Sequence, residues 1–121
     1  MQRRKRALET LQPGKVTIYS CGPTAYARLH LGQCRRYVFA DLLSRYLRFR
    51  GYEVRHLVNI TDLDDRTIKG SEKAGEGIET FTRRYIDGYM EDMAYLHIQP
   101  ADHYPLASEH VDDMVQLARK L

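Results

Sequence analysis

The sequence predicts an α/β fold, a strand–loop–helix–strand unit followed by helices. Two observations carry this. Lys15–Ser20 and Glu53–Ile60 are short β-branched, apolar-rich runs, and between them lies a long stretch with helical spacing of apolar residues. A chain that leaves one strand, makes a helix and returns to a second strand lays the two strands parallel, with the helix on one face.

Each element has a local reason. Pro13-Gly14 is a turn pair, and Lys15-Val16-Thr17-Ile18-Tyr19-Ser20 alternates as a strand does. Cys21-Gly22-Pro23-Thr24 breaks regularity. From about Gly32 to Arg50, Tyr37, Val38, Ala40, Leu42, Leu43, Tyr46, Leu47 and Phe49 recur at helical spacing, while Arg35, Arg36, Arg45, Arg48 and Arg50 give the helix a cationic surface. Gly51 stops it. Asp64-Asp65 caps a short helix through about Lys73, ended by Gly75 and Gly77. Phe81, Tyr85, Ile86, Tyr89, Met93 and Leu96 mark a longer amphipathic helix over Ile78–Leu96. Pro100 to Pro105 reads as an irregular connection, and Ser108 opens a last helix running to the end of the chain. Two strands make a poor sheet with both edges open, which predicts edge pairing, dimerisation or loose packing. The chain stops in a helix without a C-cap signal, as a piece of a larger domain would.

At 121 residues, 43% hydrophobic and 29% charged, the composition is that of a globular chain and excludes disorder or low complexity. No apolar run reaches the ~20 residues that span a bilayer, which predicts no membrane partner. The start, Met1-Gln2-Arg3-Arg4-Lys5-Arg6, lacks the apolar core of a secretory signal. Two cysteines, Cys21 and Cys34, are too few for a disulfide framework, and the expected location is a reducing cytoplasm. The net charge of +3 hides a split: residues 1–55 hold twelve Lys/Arg against three Asp/Glu, and residues 56–121 hold seven against thirteen. The basic half either attracts phosphate or is neutralised by the acidic half across the fold.

The loop from Ser20 to Gln33 is the sharpest candidate for chemistry. Ligands collect at the carboxyl ends of strands in open α/β sheets, and the helix N-terminus there offers free N–H groups to phosphate. Gly22 and Gly32 permit close backbone approach, and His30 can donate to a phosphate oxygen. Cys34, one turn into the helix, reads as a small packing residue, and His56 as structural.

Ile18-Tyr19-Ser20-Cys21-Gly22-Pro23-Thr24-Ala25-Tyr26, followed by His30-Leu31-Gly32-Gln33, resembles the opening of the cysteinyl-tRNA synthetase catalytic domain, whose Cys-Gly-Pro-Thr-x-Tyr segment precedes an H-I-G-H signature. Val58-Asn59-Ile60-Thr61-Asp62-Leu63-Asp64-Asp65 resembles the same family's Asn-Ile-Thr-Asp-x-Asp-Asp segment. Similarity continues through Ile68-Lys69, Gly75-Glu76, Glu91-Asp92-Met93 and Ser108-Glu109-His110.

The resemblance implies a partial Rossmann-type nucleotide-binding fold: residues 13–121 would be the N-terminal half of a class I catalytic domain. Residues 1–12 precede it as a basic N-terminal segment, the one stretch of the chain open to disorder. The resemblance also implies a cysteine–tRNA ligase, a fragment inactive alone, with cysteine, ATP and tRNA as partners of the complete enzyme. His30 and Gln33 would be catalytic, and His30, Gly32 and Gln33 would bind ATP. Cys21, Gly22 and Thr61 would bind the amino acid, with Asp62, Asp64 and Asp65 as supports. Cys21 would also be one ligand of the family's zinc: a soft thiolate binds zinc, and zinc in turn selects a thiol over the serine hydroxyl. Four residues at three places depart from the pattern. Gln33 stands where the signature has His, Ser20 replaces an apolar residue, and Ala27-Arg28 replaces an acidic residue. The remaining zinc ligands and the K-M-S-K-S loop are absent from the sequence. The cysteine:amino-sugar ligase of mycothiol synthesis shares the same opening elements, and a stand-alone nucleotide- or RNA-binding module is the non-enzymatic alternative.

Overall fold

The computed structural model describes residue 5 and residues 7–121. Of the basic segment expected over residues 1–12, residues 1–4 and 6 lie outside the described residues. The element order is β1 (Lys15–Ser20), α1 (Leu31–Phe49), β2 (Glu53–Val58), α2 (Asp65–Ala74), α3 (Ile78–Tyr95), a 3-10 turn (Ser108–His110) and α4 (Val111–Ala118). The strands pair in parallel, Lys15 opposite Glu53 and Ser20 opposite Val58, with α1 as the connection. The fold is α/β, as the sequence predicts.

Alternation sets which face of the sheet is covered. Val54, His56 and Val58 are buried beside Val16, Ile18 and Ser20, whereas Lys15, Thr17 and Tyr19 point the other way into solvent. Tyr37 of α1 meets Val58, Tyr89 and Met93 in the core, with Leu29, Met90, Ile98, Ala101 and Tyr104 around them. The rings of Tyr37 and Tyr89 meet edge to face at 5.3 Å between centroids, a geometry favoured by the ring quadrupoles. The α2–α3 contact depends on Gly70, where a Cβ would come within 2.5 Å of the Phe81 ring.

Helix starts follow the expected chemistry in part. Asp64 caps α2, its carboxylate accepting from the N–H groups of Arg66 and Thr67, and Gly75 closes the helix in the left-handed region at φ 67°. At Ser108 the structure departs from the sequence reading: a 3-10 turn forms first, and α4 begins at Val111 and ends at Ala118. Ser108 fails as a helix cap because its side chain is taken by Asp62. The buried Asp62 carboxylate accepts from the Ser108 N–H at 2.9 Å and its hydroxyl at 2.5 Å.

The 100–105 connection is more ordered than its prolines suggest, and it corrects the expectation of two open edges. Asp102 N–H donates to the His56 carbonyl, Val58 N–H to His103, Ile60 N–H to Pro105, and Ala107 N–H to Ile60. This segment therefore runs parallel along the outer edge of β2, bridging at Leu57–His103 and Ile60–Leu106. Prolines are tolerated because residue 105 needs only its carbonyl here. The edge of β1 remains; beyond a Gln12–Lys15 bridge, no further strand pairs with it among the described residues. Among the described residues no helix is long and apolar enough to cross a membrane.

Candidate functional site

Two loops leave the carboxyl ends of β1 and β2 and stay together. Thr24 bridges Thr61 in parallel, with Ala25 N–H donating to the Thr61 carbonyl and Thr61 N–H to the Pro23 carbonyl, both at 2.9 Å. Asn59 clamps the pair. Its side-chain oxygen accepts from Gly22 N–H at 3.0 Å, and its amide nitrogen donates to the Thr61 hydroxyl at 3.2 Å. A Cβ at residue 22 would lie 1.5 Å from the Asn59 carbonyl oxygen, so only glycine allows this approach. The clamp brings three expected substrate residues, Cys21, Gly22 and Thr61, into one neighbourhood. Cys21 is an exposed free thiol at the lip of this clamp.

The second group sits at the start of α1. His30 is the N-cap in extended conformation, and the Gln33 side-chain oxygen accepts from its backbone N–H at 3.0 Å. The carboxamide oxygen of Gln33 is thereby spent on capping, which leaves its NH₂ as the group able to meet an anion. A Cβ on Gly32 would press on the His30 ring at 3.1 Å, so glycine there lets the imidazole lie over the first turn. No acidic residue stands in the first turn of α1. A 19-residue helix with that N-terminus is suited to phosphate. Arg36, one turn further along, donates to the Cys21 carbonyl and ties α1 to the first loop. Its guanidinium also covers the ring of Tyr37 at 4.5 Å. Tyr37 is buried with its hydroxyl unpartnered, and burial pushes that hydroxyl up to about 12.

A cavity of about 700 Å³ opens beside this turn, lined by Leu29, His30, Gly32 and Cys34 on one side and Asp92, Tyr95 and Leu96 of the α3 end on the other. Cys34 thus walls a cavity instead of filling the core. His56, read as structural, is buried in β2 as such a residue would be.

The three acidic supports separate by role. Asp62 holds Ser108, and Asp64 caps α2. Burial opposes ionisation of Asp64, but the hydrogen bonds from Thr67 and Arg66 outweigh it and hold the carboxyl below its ordinary range. Asp65 is exposed in the first turn of α2. Asn59 and Arg66 escaped the sequence reading. Arg66 donates to the Thr24 hydroxyl at 3.1 Å, covers the Tyr26 ring at 4.8 Å and pairs with Asp64. The signal for Arg66 was its place two residues after the α2 cap, beside the first loop.

The arginines of α1 are largely engaged within the fold. Arg45 binds Asp41 and the His97 carbonyl, Arg48 reaches Gln99 and Asp102, and Arg50, the residue that caps the end of the helix, meets the Tyr46 hydroxyl. The basic half is thus partly neutralised across the fold.

Among the described residues no group of three His, Cys, Asp or Glu could hold a metal. Cys21 is a single thiolate, and a tetrahedral zinc site needs further ligands beside it.

Comparison with known proteins gives the family and the fold. Cysteine–tRNA ligases of Pyrococcus abyssi and Chlamydia caviae are 41% identical over 121 residues and 47% identical over 106 residues. These alignments take in 100% and 88% of this chain but only 25% and 22% of those proteins, so the chain spans about a quarter of the relatives it matches. Among solved structures, the agnB2 LeuRS of Agrobacterium radiobacter, in a ternary complex with tRNA and LeuAMS, superposes with a TM-score of 0.66 at 26% identity, covering 78% of this chain and 12% of that one. Mycobacterium tuberculosis methionyl-tRNA synthetase in complex with methionyl-adenylate shares the fold, with a TM-score of 0.63 over 73% of this chain and 18% of that one. Residues 7–121 match the family described as the class I (C) tRNA synthetase catalytic domain, and the chain belongs to that family.

Proposed function

We propose that residues 13–121 are the N-terminal half of the catalytic domain of a cysteine–tRNA ligase acting in the cytoplasm. In that reaction the cysteine carboxylate attacks the α-phosphorus of ATP, pyrophosphate leaves, and the cysteinyl group of the adenylate then moves to tRNA. The observation that carries the reading is the Asn59 clamp, which holds Cys21, Gly22 and Thr61 together while Arg36 ties them to the helix that begins at His30. His30, Gly32 and the NH₂ of Gln33 would receive the ATP phosphates, where developing negative charge is stabilised by preset donors. Thr61 and the Cys21–Gly22 turn would hold the amino acid. In a longer protein Cys21 would supply one thiolate to zinc.

Calorimetry and cysteine-dependent ATP–pyrophosphate exchange test this. The chain alone is expected to bind ATP only in the millimolar range, with binding lost in His30→Ala, and to show no exchange. Robust exchange by this chain would overturn the half-site reading, and ATP binding indifferent to His30→Ala would overturn the assignment of the phosphate site. The same proposal includes self-association through the uncovered edge of β1, checked by light scattering over a concentration series. A chain that is monomeric throughout removes that part.

A further inference from the structure

The covered face of the sheet is apolar except at two places. Val16, Ile18, Val54 and Val58 are the side chains a sheet face under a helix calls for, and Ser20 and His56 interrupt them. The two meet diagonally across the strands, with Ser20 Oγ and His56 Nε2 sharing a hydrogen bond of 2.8 Å. His56 is 8% exposed and is fixed from its other side. Its backbone N–H donates to the Asp102 carboxylate at 2.6 Å, its backbone carbonyl accepts from Asp102 N–H at 2.8 Å, and Asp102 lies 3.6 Å from Arg48 of α1. A contact chain thus runs from α1 through Asp102 and His56 to Ser20, and stops one residue short of Cys21.

We infer that His56, through the Ser20 hydroxyl, is a positioning residue for Cys21, setting where β1 ends and how the Cys21–Gly22 turn is presented. Two apolar side chains would fill the same face without desolvating an imidazole and a hydroxyl, so the polar pair costs stability relative to that alternative and returns direction. A hydrogen bond fixes the last strand residue in a way that sliding apolar contacts do not. The turn it feeds has two other tethers, Arg36 on the Cys21 carbonyl and Asn59 on the Gly22 N–H. Ser20 supplies the third, and it is the one that acts before the cysteine in the chain. The inference rests on the proposed function only for its consequence, that Cys21 meets substrate; the positioning itself is independent of it.

The test measures the turn directly. In Ser20→Ala and His56→Phe, amide hydrogen exchange at Gly22 and alkylation of Cys21 by iodoacetamide are followed against two internal references, Cys34 and the amides of α3. Exchange at the hydrogen-bonded Gly22 amide should rise about five- to tenfold, as expected for the loss of one net hydrogen bond, and the alkylation rate of the exposed Cys21 should shift with it as its surroundings change, with the references unchanged. Ser20→Thr and His56→Gln, which keep a hydroxyl and a side-chain nitrogen at comparable reach, should return both rates toward the parent values. Unchanged rates at the turn, or an equal rise at Cys34 and α3, would overturn the inference, the latter by showing only a general loss of stability. If the turn responds as expected but Cys21→Ala in a complete synthetase carrying this segment leaves cysteine-dependent exchange intact, the positioning stands and the substrate role of Cys21 falls.

Discussion

Gly22→Ala is the substitution the structure condemns most clearly. The new methyl would sit 1.5 Å from the Asn59 carbonyl oxygen and 2.7 Å from its carbonyl carbon, where non-bonded contacts do not fall below about 3.0 Å. The obstacle is backbone, so no side chain can swing away. The two loops must separate by about 1.5 Å, which takes hydrogen bonds of 2.9–3.0 Å beyond useful range. The bonds at risk are Gly22 to Asn59, Thr61 to Pro23, and Ala25 to Thr61. At about 1 kcal/mol net each, losing all three costs about 3 kcal/mol. For a chain of this length that lowers Tm by about 10 °C or more. Thermal unfolding followed by far-UV circular dichroism measures it, with Gly77→Ala as the control. Nothing lies within 4 Å of a Cβ at Gly77, and its φ of −63° suits any residue, so Tm should hold within about 2 °C there. A Gly22→Ala protein that melts with its parent would refute the close approach of the two loops.

Three further outcomes follow from single contacts. Burial, and then the neighbouring Arg48 charge, lower the pKa of His56 beneath its ordinary 6.5. The unfolded chain therefore takes up the proton first, and stability is full above pH 6.5 and falls as pH drops toward the native value; urea titrations over that window should show a slope that His56→Gln flattens. Asp64→Ala removes the acceptor for two N–H groups at the start of α2 and should cost about 1–2 kcal/mol, read as a lower urea midpoint with unchanged m. Gly70→Ala drives a methyl to 2.5 Å from the Phe81 ring and should cost about 1–3 kcal/mol by forcing α2 off α3, visible as loss of the near-ultraviolet aromatic signal before the far-ultraviolet one.

What the sequence disclosed is what local chemistry encodes. Strand alternation over 15–20, the helical period after Gly32, the Asp64 cap and the Gly75 stop each depend on neighbours within a few residues, and the structure has them. The site was legible for a related reason: a strand must end before a loop can bind, and the Cys-Gly and His-x-Gly segments stand just past strand β1. The structure adds pairings between residues 36 to 46 positions apart. Ser20 with His56, Gly22 with Asn59, His56 with Asp102 and Asp62 with Ser108 have no periodic signature, because each depends on which strand lies beside which. Once the parallel register is known, the first two follow from it, since Ser20 stands opposite Val58 and Gly22 lies two residues further along.

Helix α1 shows why the composition of this chain looks ordinary while its packing does not. Its inward face carries Tyr37, Ser44 and Leu47, all buried. Its outward face repeats the apolar pattern with Leu31, Val38, Phe39, Leu42, Tyr46 and Phe49, of which Phe49 is 85% exposed. A helix at the surface of a finished domain carries one apolar stripe, and one that is apolar on both sides is a buried helix. Tyr19, 66% exposed on the outer sheet face, gives the same indication from a second element. The sheet edge closed by residues 102–107 and the salt links of Arg45 and Arg48 show that the side of α1 facing the sheet is already satisfied. The unsatisfied apolar surface is therefore concentrated on the far side of α1 and on the outer face of β1.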